Sequence, residues 1–87
     1  MKHDLKTWPK YFDAVWNRSK TFELRKNDRN YKVGDILCLR EYDNEVNEYS
    51  GRELLMGVAY ILEGGVFGLD KEMCIMSLTE IGREEDY

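Results

Sequence analysis

Proline is almost missing from this chain, occurring once, at position 9. Histidine also occurs once, at position 3, so a zinc site lacks ligands and no metal or cofactor is implied. The two cysteines, Cys38 and Cys74, each sit inside an apolar run. That setting fits buried, reduced thiols better than a disulfide or half of a metal centre. Long apolar runs are missing too. The start, Met-Lys-His-Asp-Leu-Lys, lacks the apolar stretch of a signal peptide, and Leu54 to Leu62 is too short to span a bilayer. The expected location is cytoplasmic, with no membrane partner. At 87 residues a second domain does not fit, and a chain of this length buries only about 60% of its unfolded surface. Scarce proline with 43% hydrophobic residues describes a globular chain, not a disordered one.

The formal net charge of −4 hides a segregation. Residues 1–32 hold nine Lys or Arg against four acids, and the remainder holds four against thirteen. A basic N-terminal third, folded onto one face, attracts phosphates even while the whole protein stays acidic.

Residues His3 to Lys6 read as a short first strand. Trp8, Tyr11, Phe12, Val15 and Trp16 then follow the spacing of an amphipathic helix, with Thr7 and Trp8-Pro9 as its start and its end near Asn17 or Arg18. That aromatic stripe reads as core, with Trp16 at the exit able to line a cleft. Strands are expected at Thr21 to Lys26, Ile36 to Tyr42, Arg52 to Leu62 and Met73 to Ile81. Tyr31 to Asp35 is a tight connection around Gly34, Asp43 to Gly51 a polar, acid-rich hairpin loop, and Gly57 marks a bulge or bend. Gly64-Gly65 and Gly68 mark a mobile loop, and Gly82 to Tyr87 a frayed acidic tail. The expected fold is mainly β with one or two helices: a small barrel closed by the N-terminal helix, or alternatively an open sheet with the helix on one face.

Ser19 to Arg29 packs four cations and two carboxylates around two apolar side chains. Alternation predicts that Phe22 and Leu24 face the core, while Thr21, Glu23 and Arg25 form a polar face. A solvated strand with surface ion pairs has the same pattern. Lys20 lies where an ammonium reaches a phosphate or base carbonyl, and Arg25 offers a planar fork. Glu23 can pair with Arg25 or accept from an exocyclic amine. Lys26, Arg29 and Lys32 extend the cationic track. Glu63, beside the glycines, is a candidate general acid or base outside the motif. Tyr31, Tyr60 and Phe67 are candidates for stacking on a base.

Ser19-Lys-Thr-Phe-Glu-Leu-Arg25, preceded by a helix and followed by Val33-Gly-Asp-Ile-Leu37, resembles the ASCH domain, a branch of the PUA-like superfamily. Tyr60 to Gly65 and Phe67-Gly-Leu69 resemble a small bacterial and phage branch of it. The resemblance implies a PUA-like β-barrel of one domain over residues 1–87, with a cleft between barrel and helix that binds RNA or a nucleotide. For that cleft it points to Lys20, Thr21, Glu23 and Arg25. Some ASCH proteins are amidohydrolases acting on acylated cytidines, with a Lys matching Lys20 and a Thr where this chain has Glu23. The enzymatic alternative is such a hydrolase using Lys20, Glu23 or Glu63. A protein-interaction module of phage origin is the third reading, motivated by the acid-rich hairpin.

Overall fold

Proline's fixed φ suits the first position of a helix, where no N–H is needed. In the computed structural model, which describes residues 1–84, α1 (Pro9–Trp16) starts there. Trp8 is extended, and its carbonyl accepts the amides of Tyr11 and Phe12 at 3.0 and 2.8 Å. Beyond the helix Arg18 takes a left-handed φ of 68°, and the amides of Ser19 and Lys20 both return to the Ala14 carbonyl, at 3.0 and 2.9 Å.

Strands β1 (Lys2–Thr7), β2 (Phe22–Lys26), β3 (Ile36–Asp43), β4 (Glu48–Glu63) and β5 (Met73–Glu84) form one sheet in the order β1-β3-β4-β5-β2. β1 runs parallel to β3, and the other pairings are antiparallel. Among the described residues the chain is mainly β, with a single short helix and the sheet curled into a half-barrel. Because β1 and β2 are the two edges, the curl brings them toward each other. The Arg25 Nη2 donates to the Lys6 carbonyl at 3.0 Å and the Arg29 Nη1 to the Asp4 carbonyl at 2.8 Å, so arginine side chains bridge the gap where no strand pairs.

The concave face holds the core. Phe12 and Val15 of α1 are buried with Leu37, Leu39, Leu54 and Met76 of the sheet. Arg52 fixes the helix to the sheet: its Nε and Nη2 donate to Glu41 at 3.0 and 2.8 Å, and Nη2 also donates to Asp13 of α1 at 2.7 Å. The guanidinium lies 5.0 Å from the rings of both Phe12 and Trp16. At the other end of the core, buried His3 and Asp35 meet at 2.9 Å, and Asp35 also accepts the Lys32 amide at 3.0 Å. The His3 hydrogen bond, aided by the Lys32 amide, holds the Asp35 carboxyl down at about 2. Gly34, at φ 95°, supplies the left-handed residue of this turn.

Several boundaries differ from expectation. The hairpin expected as a loop over Asp43 to Gly51 is mostly strand, with only residues 44–47 left as the turn and Asn47 at φ 57°. Tyr42 and Tyr49 pair across it with ring centroids 4.9 Å apart, which extends the ladder beyond the point where the acid-rich composition suggested it would end. The register shifts of β4 flank Gly57, between Leu55 and Met56 and between Val58 and Tyr60. A Cβ on Gly57 would stand 3.0 Å from the Thr79 Oγ1. The tail does not fray from Gly82: Gly82, Arg83 and Glu84 pair with Leu55, Leu54 and Glu53, and residues 85–87 lie outside the described residues. The glycine loop carries backbone hydrogen bonds from the Gly65 amide to the Leu69 carbonyl, from Leu69 to Val66 and from Met73 to Asp70. Cys38 and Cys74 are buried free thiols, as their apolar surroundings predicted.

Candidate functional site

Strand β2 inverts the expected alternation. Phe22 and Leu24, assigned to the core by their hydropathy, are 45% and 48% exposed, whereas Glu23 is 3% exposed. Glu23 opposes Met76 and Arg25 opposes Cys74, both buried, so the polar pair faces inward and the apolar pair faces out. A carboxylate is stable in such a place only when its charge is matched and its oxygens are bonded. Both conditions are met. Lys20 Nζ donates to Oε1 at 2.9 Å, and Arg25 Nε donates to Oε2 at 2.6 Å. Lys-Thr-Phe-Glu-Leu-Arg therefore builds a cation–carboxylate–cation clasp. Because β2 is an edge strand, Phe22 and Leu24 would gain only part of a full burial energy from the opposite register.

Lys20 Nζ also donates to the Phe22 carbonyl at 2.7 Å, which leaves one of its three donors. Arg25 spends its Nη2 on the Lys6 carbonyl and, at 3.4 Å, on Thr7 Oγ1. Between the clasp, the end of β1 and the start of α1 lies a cleft of about 660 Å³. Lys6, Thr7, Trp8 and Tyr11 line one side, and Lys20, Phe22, Glu23, Leu24 and Arg25 the other. Two cations, Lys20 and Arg25, thus face one carboxylate, while Lys6 offers its carbonyl to Arg25 and holds its ammonium against the Tyr42 ring. Trp8 and Tyr11 are 53% and 45% exposed, with ring centroids 6.4 Å apart. The arrangement presents hydrogen-bond donors and aromatic faces to whatever enters, which suits a phosphate or carbonyl beside a flat ring.

Of the residues expected at the site, Lys20, Glu23 and Arg25 converge on the cleft. Thr21 is exposed and outside the lining, and its carbonyl accepts the Leu78 amide. Lys26 closes β2 as an exposed residue beyond the cleft, and Arg29 is spent on β1. Glu63 ends β4 opposite Cys74 and does not line the cleft. Tyr31 is buried edge-on against His3, with centroids at 4.8 Å, so it belongs to the core. Tyr60 and Phe67 are exposed but lie outside the cleft. Trp16 stacks on Phe12 at 5.7 Å beneath the Arg83 guanidinium and closes the core instead of a cleft. The residues missed by sequence are Trp8 and Tyr11, which the amphipathic spacing assigned to the core. Trp8 precedes Pro9 and so stands outside the helix, which was the available signal. Among the described residues no three His, Cys, Asp or Glu side chains form a metal-binding group, and no helix is long and apolar enough to cross a membrane.

Fold and cleft together define a small curled-sheet domain with a cation-lined gap between its edge strands. The chain belongs to the family described as "Domain of unknown function (DUF3850)", which matches residues 2–78 and so includes every residue of the cleft. It is 44% identical over 52 residues to the "Uncharacterized 12.9 kDa protein in GpA 3'region" of Escherichia phage P2. That stretch is 60% of this chain and 46% of the phage protein, so the chain spans less than half the length of this relative.

Proposed function

We propose that the cleft binds a nucleotide, free or as a unit of RNA. The observation that carries this reading is the convergence of Lys20 and Arg25 with the half-exposed rings of Trp8 and Tyr11 around one concave space, with the Lys6 ammonium at its border on the Tyr42 ring. Cations meet the phosphate, the rings meet the base, and Glu23 holds two of the cations in place without cancelling all of the charge. The order of helix, Lys20 to Arg25 motif and Val33-Gly34-Asp35 turn supports kinship with ASCH domains of the PUA-like superfamily, and nucleotide binding agrees with that kinship. The test is titration of the protein with RNA at low salt. Binding is expected to weaken as salt rises, because phosphate contacts release counterions. It is expected to fall by at least about tenfold in Lys20→Ala/Arg25→Ala, which removes two charge-assisted contacts. Absence of binding at low salt, or binding that survives the double substitution in a folded variant, would overturn the reading.

A further inference from the structure

A strip of cations and rings leaves the cleft on its β1 side. Lys6, which lines the cleft, holds its Nζ 4.5 Å from the centre of the Tyr42 ring. Tyr42 meets Tyr49 edge-on, and the Arg40 guanidinium lies 4.1 Å from the Tyr49 ring. Lys6 and Arg40 are register partners on β1 and β3, while Tyr42 and Tyr49 are partners on β3 and β4. The four side chains therefore form one continuous patch beside the mouth of the cleft. A cation–ring contact at an exposed site contributes only about 0.5–1 kcal/mol, so these pairs are readily exchanged for contacts with a ligand.

Charge defines the reach of the patch. Lys6, Lys20, Arg25 and Arg40 are set against Asp4, Glu23 and Glu53, a local surplus of one cation on a chain whose net charge is −4. Immediately past the tyrosines the next register pair is Asp43 with Glu48, and these two carboxylates end the surplus.

We infer that the strip continues the cleft as a track for single-stranded nucleic acid, so that the ligand is a short run of nucleotides; this rests on the nucleotide reading of the cleft. One nucleotide occupies the gap between β1 and β2. The strand then crosses the outer face of β1, β3 and β4, with bases on Tyr42 and Tyr49 and phosphates on Lys6 and Arg40. Strands about 4.8 Å apart place Tyr49 roughly 10 Å from β1, which leaves room for a few stacked nucleotides before Asp43 and Glu48 repel the backbone. Stacking on tyrosine tolerates any base.

The test compares a mixture of nucleoside monophosphates with random-sequence hexanucleotide RNA, at low salt, on the wild-type protein and on Tyr42→Leu/Tyr49→Leu and Arg40→Gln. The hexanucleotide is expected to bind at least about tenfold tighter than the monophosphates, since stacking contributes about 1–3 kcal/mol per base. The tyrosine double variant is expected to lose most of that advantage while keeping wild-type affinity for the monophosphates. Arg40→Gln, whose side chain is 39% exposed, guards against misfolding of the tyrosine variant and is expected to lower only hexanucleotide affinity and its salt dependence. Equal affinity for both probes, or hexanucleotide binding unchanged in both variants, would overturn the track and leave the cleft reading intact. Failure of every probe to bind the wild-type protein would overturn the cleft reading, and the track with it.

Discussion

Replacing Glu23 with glutamine preserves the shape of the side chain and removes its charge, while Lys20 and Arg25 keep theirs. The side chain of Glu23 is 4% exposed, against 18% for Lys20 and 26% for Arg25. Removing one partner of a buried pair costs about 3–5 kcal/mol. The amide oxygen of glutamine still accepts one hydrogen bond, and both cations reach water, so the loss falls to about 2 kcal/mol. In a domain of this size that lowers Tm by roughly 10 °C and the urea midpoint by about 1 M. Urea titration followed by circular dichroism at neutral pH reads it directly. The same change adds one positive unit to the cleft. At roughly 6 Å and an effective dielectric of about 20 the bare interaction with a phosphate is about 3 kcal/mol, which salt and partial exposure reduce to about 1 kcal/mol. RNA affinity is therefore expected to rise about fivefold while stability falls. A variant as stable as the wild-type protein would refute the role of Glu23 as counterion. A folded variant that binds RNA more weakly would show that Glu23 touches the ligand itself.

Three further outcomes are expected. Arg52→Lys loses the fork that holds Glu41 and Asp13, and it destabilises the domain by about 2 kcal/mol in urea denaturation, because Glu41 is left in a buried place with a poorer partner; wild-type stability would show that the guanidinium geometry is irrelevant. Asp35 has a carboxyl lowered from 3.8 to about 2, so its contribution is present above the unfolded value and is lost as pH falls through that window. The urea midpoint of Asp35→Asn is expected to be lower than wild type at pH 7 and less steep between about pH 4 and 2; parallel curves would contradict it. Burial, with Glu53 beside it, pushes the Cys38 thiol up to about 12, and burial also raises Cys74. Ellman's reagent at pH 8 is expected to leave both unmodified until the protein unfolds, and rapid labelling of either native thiol would contradict their placement.

The helix, the strand sequence and the Gly34 turn were legible because each rests on local signals: Pro9 after Trp8, the short apolar run Ile36 to Leu39 that opens β3, and a glycine where φ is positive. The facing of β2 was not. Hydropathy ranked Phe22 and Leu24 above Glu23, but two cations that are close in sequence satisfied the carboxylate and reversed the order. Tyr49 lies within the segment whose acidic neighbours read as loop, and only its cross-strand pairing with Tyr42 shows that the ladder continues. Trp8 and Tyr11 followed the helical period, yet the buried stripe consists of Phe12 and Val15, because a helix this short at the sheet edge covers only part of its aromatic face. Of the four residues to which the motif pointed, Lys20, Glu23 and Arg25 line the cleft and Thr21 does not.

Amide chemical-shift mapping during titration with RNA at low salt tests most directly whether a nucleotide enters the cleft. Entry of the ligand between β1 and β2 predicts the largest shifts within residues 6–11 and 20–25, lining both sides of the cleft. Shifts confined to the outer face of β4 and β5 or to the turn at residues 44–47, with those two segments unmoved, would contradict it.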